Sequence, residues 1–430
     1  MAFGRRKPSK SPYITNLETS PNPNSPIDSA EEAKKWEDYC GEETALTKPA
    51  AGFSPESVRR KVILAEPFSE SRIVRYMRRP FDTVWAYVSE VSPLWNRSRP
   101  ELRSHLKTGQ SCILCRPSCP SEPEGIPFLV TQLTGEQDAM RGHAYFFPIL
   151  FSPLEGRDKR QKKVFEAGSS GNLSAGARAY LAGLGINHPD TDAKMAGLIW
   201  MHALAIGYSP AYLTENADGI RRDWPRIPLP ADRKILEASA ALGEQIAALL
   251  DTEADVPGVT CGKIAPALKT IGVPSRLGGG EMDDLAITAG WGHFGKAGVV
   301  MPAKGKLAER QYDKNEAAAI DAEATARAMS PAEVRRLLGD GTFDVYLNDA
   351  AHWRNIPRSV WEYTIGGYQV IKKWLSYRED KILGRALKLE EAREVMNTAR
   401  RIATIILLQP KLDENYATVK AAAFDWPPVA

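Results

Sequence analysis

Between two helical patterns the chain carries the stretch RRDWPRIPLP at residues 221–230. Pro225, Pro228 and Pro230 each lack an N–H and fix their own φ, so the stretch can neither continue a helix nor enter the middle of a sheet. It must run extended and stiff, with Trp224, Ile227 and Leu229 available to pack inward and Arg221, Arg222 and Arg226 supplying charge. Upstream, residues 192–217 are apolar on most faces at first, as a buried helix is. That run breaks at Tyr208-Ser209-Pro210, where Ser209 as N-cap and Pro210 in the first turn start a second helix. Downstream, residues 231–250 set Ile235, Leu242, Ile246 and Leu249 on one helical face. The spacing therefore predicts a helical segment over 191–252, with a rigid strap crossing between helices and a sheet.

The rest of the chain divides by composition. Residues 1–59 are rich in Pro, Ser, Asn and charge, including Arg5, Arg6, Lys7 and Lys10, and read as a largely disordered tail or truncated connection. Residues 60–155 hold short β-branched and aromatic runs, FLVTQL at 128–133 and AYFFPIL at 144–150 among them, and read as an α/β part. Residues 156–190 read as a flexible connector, opening on a basic run with Arg157, Lys159, Arg160, Lys162 and Lys163. Residues 253–349 form a glycine-rich α/β part. Within it a short helix starts at a Ser330/Glu333 capping box, has Pro331 in its first turn and stops at Gly339. Residues 350–430 read as C-terminal helices: a run at 359–380 that contains Gly366-Gly367, and a second with Ala392, Val395, Ala399, Ile402 and Ile406 on one face. The expected fold class is α+β, with short strands, a central helical segment and a C-terminal helical pair.

At 430 residues the chain can bury a substantial core, and its formal net charge of +3 leaves any nucleic-acid role to local patches. No apolar run approaches the roughly 18 residues of a membrane span. The first residues lack the apolar core of a secretory signal, so a cytoplasmic protein without a membrane partner is expected. Cys112, Cys115 and Cys119 have a metal-like spacing, with His105, His143 or Cys261 as possible fourth ligands. A second paired half-site is missing, which favours a buried strand cysteine with reduced neighbours and no metal.

Catalytic patterns are missing too. There is no phosphate-binding P-loop, no His-Glu-x-x-His, no Gly-x-Ser-x-Gly and no deaminase zinc signature. Asp283 and Asp284 are adjacent, and in a strand would point to opposite faces. The six histidines are scattered, and His202 lies within the apolar helix as a core residue would. Arginines and lysines on stiff, aromatic-rich elements suit a binding module better than a self-sufficient enzyme.

Four blocks carry a resemblance. YMRRPFDTVWAYV (76–88) resembles, through Arg79, Pro80, Phe81, Asp82, Thr83 and Trp85, a block of the C-terminal specificity region of type ISP restriction–modification enzymes and related DNA adenine methyltransferases. WNRSRPELRSHL (95–106) resembles the segment that follows it there. LIWMHALAIGYSPAYLTENADGIRRDWPRIPLP (198–230) is similar through Ser209, Pro210, Tyr212, Pro225, Arg226, Ile227 and Pro228. VWEYTIGGYQVIKKWLSYR (360–378) is similar through Trp361, Tyr363, Gly366, Gly367, Lys373, Trp374 and Leu375. Val84 departs from the family, which usually has arginine there.

The resemblance implies a sequence-specific DNA recognition module of a restriction–modification system. Candidate DNA contacts are Arg78, Arg79, Arg97, Arg99, Arg160, Lys162, Lys163, Arg221, Arg222, Arg226, Lys372 and Lys373, with base-reading residues expected in 255–345 or the 155–172 loop. The family's methyltransferase and helicase motifs do not occur in this sequence. No catalytic residue, metal or cofactor is therefore assigned to the chain. The implied partners are double-stranded DNA and a separate methyltransferase or helicase polypeptide, with S-adenosylmethionine expected for that methyltransferase. The alternatives are a DNA adenine methyltransferase component with an unrecognised catalytic site, and a protein-interaction remnant.

Overall fold

A computed structural model describes residues 54–67, 69–95, 98–106, 110–152, 170–279 and 284–426. Most of the expected tail, and the basic cations Arg160, Lys162 and Lys163, lie outside the described residues, as does Arg97. The first described element begins inside the segment expected to be tail. Helix α1 (Pro55–Ala65) starts there because the Ser54 side chain accepts from the Ser57 N–H and Pro55 opens the first turn.

Strands β1 (Ile73–Arg79) and β2 (Asp82–Tyr87) form an antiparallel hairpin turned at Pro80-Phe81. Phe81 has φ +58, a left-handed backbone held in place by a buried ring. After helix α2 (Pro100–His105), β3 (Cys112–Cys115) runs between β4 (Leu129–Thr131) and β6 (Tyr145–Pro148), all antiparallel. Strand β5 (Thr134–Gly135) instead joins β1 in parallel. Cys112, Cys115 and Cys119 are buried. Burial pushes all three thiols up, Cys115 to about 12 and Cys119 to about 11.

Strand β7 (Leu150–Phe151) pairs with β8 (Ser170–Gly171). The described end of the expected connector is structured rather than flexible. Helix α3 (Ala175–Gly183) is capped by Ser174 and buries Tyr180 and Leu181, which gives it a core contact no linker would have. Helices α4 (Ala193–Gly207), α5 (Pro210–Glu215) and α6 (Ala217–Arg222) lead to the strap, and α7 (Arg233–Leu250) follows it. Ser209 caps α5 as its sequence suggested, accepting from the Tyr212 N–H. On α7 the buried stripe is Leu236, Ser239, Ala240, Gly243, Ile246, Leu249 and Leu250, while Ile235 and Leu242 stay half-buried. The correction has a steric cause: α4 and α7 pack so closely that a Cβ at Gly243 would lie 1.8 Å from the Met201 carbonyl oxygen. Small residues, not the largest apolar ones, define that contact.

Past helix α8 (Pro266–Thr270), strand β9 (Val273–Arg276) edges a four-stranded sheet. Strands β10 (Gly292–Phe294) and β11 (Val300–Pro302) form a separate hairpin. Strand β12 (Leu307–Arg310), helices α9 (Lys314–Ala326) and α10 (Pro331–Leu338), and strands β13 (Thr342–Tyr346) and β14 (Ala351–Pro357) follow. The sheet order is β12-β13-β14-β9, antiparallel throughout. Helix α10 is capped by Ser330 and ends at Gly339, as read from sequence.

Within the first C-terminal run, Gly366-Gly367 is a turn. Helix α11 (Arg358–Trp361) gives way to β15 (Thr364–Ile365) and β16 (Tyr368–Gln369), and helix resumes in α12 (Val370–Ser376) and α13 (Asp380–Leu383). Both glycines have positive φ, +55 and +78, as a two-residue hairpin turn of this hand requires. Helix α14 (Leu389–Ala421) then runs through the centre. Its expected face, Ala392, Val395, Ala399, Ile402 and Ile406, is buried, and 398–408 is buried on all sides. Arg401 closes α7 by donating to the carbonyls of Ala248 and Leu249. The architecture is α+β around one large apolar cluster, with two smaller ones under the strap and its flanking helices. Among the described residues, no helix is long and apolar enough to cross a membrane.

Candidate nucleic-acid interface

The β1–β2 turn and α12, far apart in sequence, meet over a buried carboxylate. Asp82 has no exposed surface; Arg78 donates to it at 2.8 Å and Arg378 at 2.9 Å. Burial alone would raise its pKa, but the charges and hydrogen bonds of Arg378 and Arg78 outweigh this and hold the carboxyl at about 2. Arg378 also stacks on Trp374, 3.7 Å from the ring centre, and Arg78 lies 3.8 Å over Tyr377. Arg79 is buried and pairs with Glu136 at 2.6 Å. Lys373 is buried too, donating to the Val300 carbonyl at 3.1 Å and lying over Tyr377. Burial, and then the charges of Arg79 and Arg78, bring its pKa down to about 8.

The second block joins the same face. Tyr76 packs on Trp95, with ring centres 5.0 Å apart, and Arg99 lies over Phe146 at 5.3 Å. Trp85 and Thr83 both meet Arg75, which also pairs with Glu253. The first and last sequence blocks thus lock one another through Asp82.

The third block is a strap whose carbonyls are taken one after another. Tyr212 Oη donates to the Arg226 carbonyl at 3.1 Å, His202 Nε2 to that of Pro228 at 2.8 Å, the Phe424 N–H to that of Leu229 and Tyr180 Oη to that of Pro230 at 2.7 Å. A carbonyl only accepts, so His202 carries its proton on Nε2, and Nδ1 accepts from Ser239. Burial drives the pKa of His202 down to about 4. Ser209 donates to Asp413 on α14 at 2.6 Å, which fixes the turn before α5. The prolines remove donors from the strap; side chains of three helices that precede it, and the backbone just past α14, supply donors for its acceptors.

What the strap leaves outside is cationic and aromatic. Arg222 is exposed, as are Arg221, paired with Glu122, and Arg226, paired with Asp223. Ile227 and Leu229 pack inward as expected, but Trp224 remains 37% exposed, edge-on to Tyr145 and Phe147. Trp200, stacked on Phe147, donates from Nε1 to the carbonyl of Asn172. The described chain therefore resumes, after the basic segment, beside this aromatic row.

Of the candidate contacts, Arg79 and Lys373 are corrected to internal positions, because carboxylate, carbonyl and aromatic partners within the fold occupy them. Arg78 and Arg99 are half-buried against rings, Lys372 is half-buried, and Arg221, Arg222 and Arg226 face outward. Sequence reading missed Arg378, the second partner of Asp82. Its only signal was the arginine that closes the block KKWLSYR. Among the described residues, no group of three or more His, Cys, Asp or Glu side chains is arranged to hold a metal.

The fold and these interlocked blocks define a class: an α+β module built on the motifs of a specificity region. Residues 27–406 match the family model of the Type ISP C-terminal specificity domain, and the chain belongs to that family. Three solved structures are similar in part. A nuclease-deletion mutant of the Type ISP restriction-modification enzyme LlaGI in complex with a DNA substrate mimic shares 14% identity over 84% of this chain and 26% of that one, with a TM-score of 0.46. The ATP-dependent Type ISP restriction-modification enzyme LlaBIII bound to DNA shares 12% over 90% and 22%, with a TM-score of 0.48. A DrdV–DNA complex shares 14% over 93% and 34%, with a TM-score of 0.47. The chain spans from about a fifth to a third of the length of these proteins. No curated protein matches it.

Proposed function

We propose that this chain is a DNA target-recognition module of a restriction–modification system, binding double-stranded DNA by sequence. The observation that carries the reading is family membership across residues 27–406, which takes in all four motif blocks. The division of its cations supports it: some hold the frame, and others, on the stiff strap, face outward where they can meet phosphate. Phosphate contacts set register on a duplex and base contacts specify sequence, so a rigid frame with outward cations suits the task. The chemistry belongs to a separate methyltransferase or helicase polypeptide, with S-adenosylmethionine the cofactor of the methyltransferase.

The test is retention of a randomised duplex pool by the purified chain at two salt concentrations, with sequencing of the bound fraction. An enriched motif, and affinity that falls steeply with salt, are expected. Neutralising Lys162 and Lys163 should weaken binding to all sequences and flatten the salt slope. No retention of duplex at low salt would overturn the proposal.

A further inference from the structure

We infer that the β10–β11 hairpin, residues 292–302, is a reading element that enters the major groove of duplex DNA; this rests on the DNA-recognition role proposed above. The first observation is charge. Residues 285–308 contain no Asp or Glu, yet carry His293, Lys296, Lys304 and Lys306. Lys296 stands at the hairpin tip, and Lys306 pairs with Asp349 in the turn between β13 and β14. The second is exposed apolar surface on the same element: Val299 is 57% and Met301 46% exposed. His293 is directly opposite Met301 in the antiparallel register, and both are exposed. Side chains alternate across a strand, so the next pair, Phe294 and Val300, faces the other way and is half-buried.

The third observation is a rigid root. Trp291 is fully buried, with Nε1 donating to the Tyr346 carbonyl at 2.7 Å. The buried Glu379 carboxylate accepts from the N–H groups of Gly290 and Trp291 at 3.0 and 2.7 Å. Lys373, from the fourth motif block, donates to the Val300 carbonyl. A two-stranded ribbon fits the major groove, where apolar side chains meet thymine methyl groups and lysine meets guanine acceptors. An exposed Val–Met tip of one charge sign, fixed at its base, has those properties. It also lies in the glycine-rich part where base-reading residues are expected.

The experiment uses the full chain and compares wild type with Met301→Ala, Val299→Ser and Lys296→Ala. All three positions are exposed, and unchanged thermal melting verifies folding. Binding is measured on the randomised duplex pool, and guanine N7 protection from methylation on the best-bound duplex. We expect Met301→Ala and Val299→Ser to cut enrichment of the preferred bases about tenfold. Lys296→Ala should reduce affinity, lower the salt slope by roughly one and remove a guanine protection. Folded variants with wild-type affinity, base preference and protection would overturn the hairpin's role while leaving the module's DNA binding intact; the apolar tip would then be open to a protein partner. A wild-type chain that retains no duplex at low salt would overturn both readings.

Discussion

The cations around Asp82 and those on the strap and the β10–β11 hairpin have the same chemistry and opposite fates. Arg78, Arg79, Lys373 and Arg378 sit among carboxylates, carbonyls and tyrosine or tryptophan rings, while Arg222, Arg226 and Lys296 face outward. A motif arginine is therefore not a DNA contact merely because its family binds DNA. A buried guanidinium must find its partners within the protein, since leaving it unpaired costs several kcal/mol. Once paired, it positions the frame and is no longer available to phosphate. Exposed cations lie under no such constraint, and they are the ones a duplex can reach.

Four substitutions break or sharpen this contrast, from the largest expected effect to the smallest. Asp82→Ala takes the shared carboxylate from two guanidinium groups, one of them buried, and should lower unfolding free energy by about 3–5 kcal/mol in denaturant titration. A loss below about 1 kcal/mol would mean the Asp82 cluster does not hold the frame.

His202 gives a pH signature. Its folded pKa of about 4 lies below the ordinary 6.5, so the unfolded chain takes up the proton first as pH falls. The stability from neutral His202 is complete above about pH 6.5 and drains away toward pH 4, by about 3 kcal/mol in all. His202→Gln should flatten the stability–pH curve across that window by close to one proton; an unaltered slope would show that His202 is not the titrating group.

Tyr212→Phe removes the donor to the Arg226 carbonyl and should cost about 1 kcal/mol, read as a lower denaturation midpoint with unchanged m. It should also weaken DNA binding slightly, because the strap loses one of its fixed points. Arg226→Ala, on the outer face of the same strap, should leave the melting temperature unchanged and lower the salt slope of binding by about one. If Arg226→Ala destabilises the protein while Asp82→Ala does not, the assignment of frame and surface is reversed.

Local elements were legible where local chemistry decides them. The Ser209-Pro210 and Ser330-Pro331 helix starts, the Gly339 stop and the buried face of α14 follow from capping and periodicity, which act within a few residues. The proline strap was legible for the same reason, as a segment that had to be extended. Gly366-Gly367 misled because the glycine pair, which favours a left-handed turn, lies inside a run that reads as helical; the pairing of Ile365 with Tyr368 forms the turn. The stripe on α7 misled because its depth of packing depends on the helix opposite, through Gly243.

The sequence by itself determined that this chain has stiff, basic, aromatic-rich elements in the order of a specificity region, because composition, capping and proline chemistry are properties of neighbouring residues. Tertiary structure alone decided which cations are frame and which are surface. That choice depends on partners hundreds of residues away, such as Arg378 for Asp82, and on whether desolvation leaves room for water or only for another protein group.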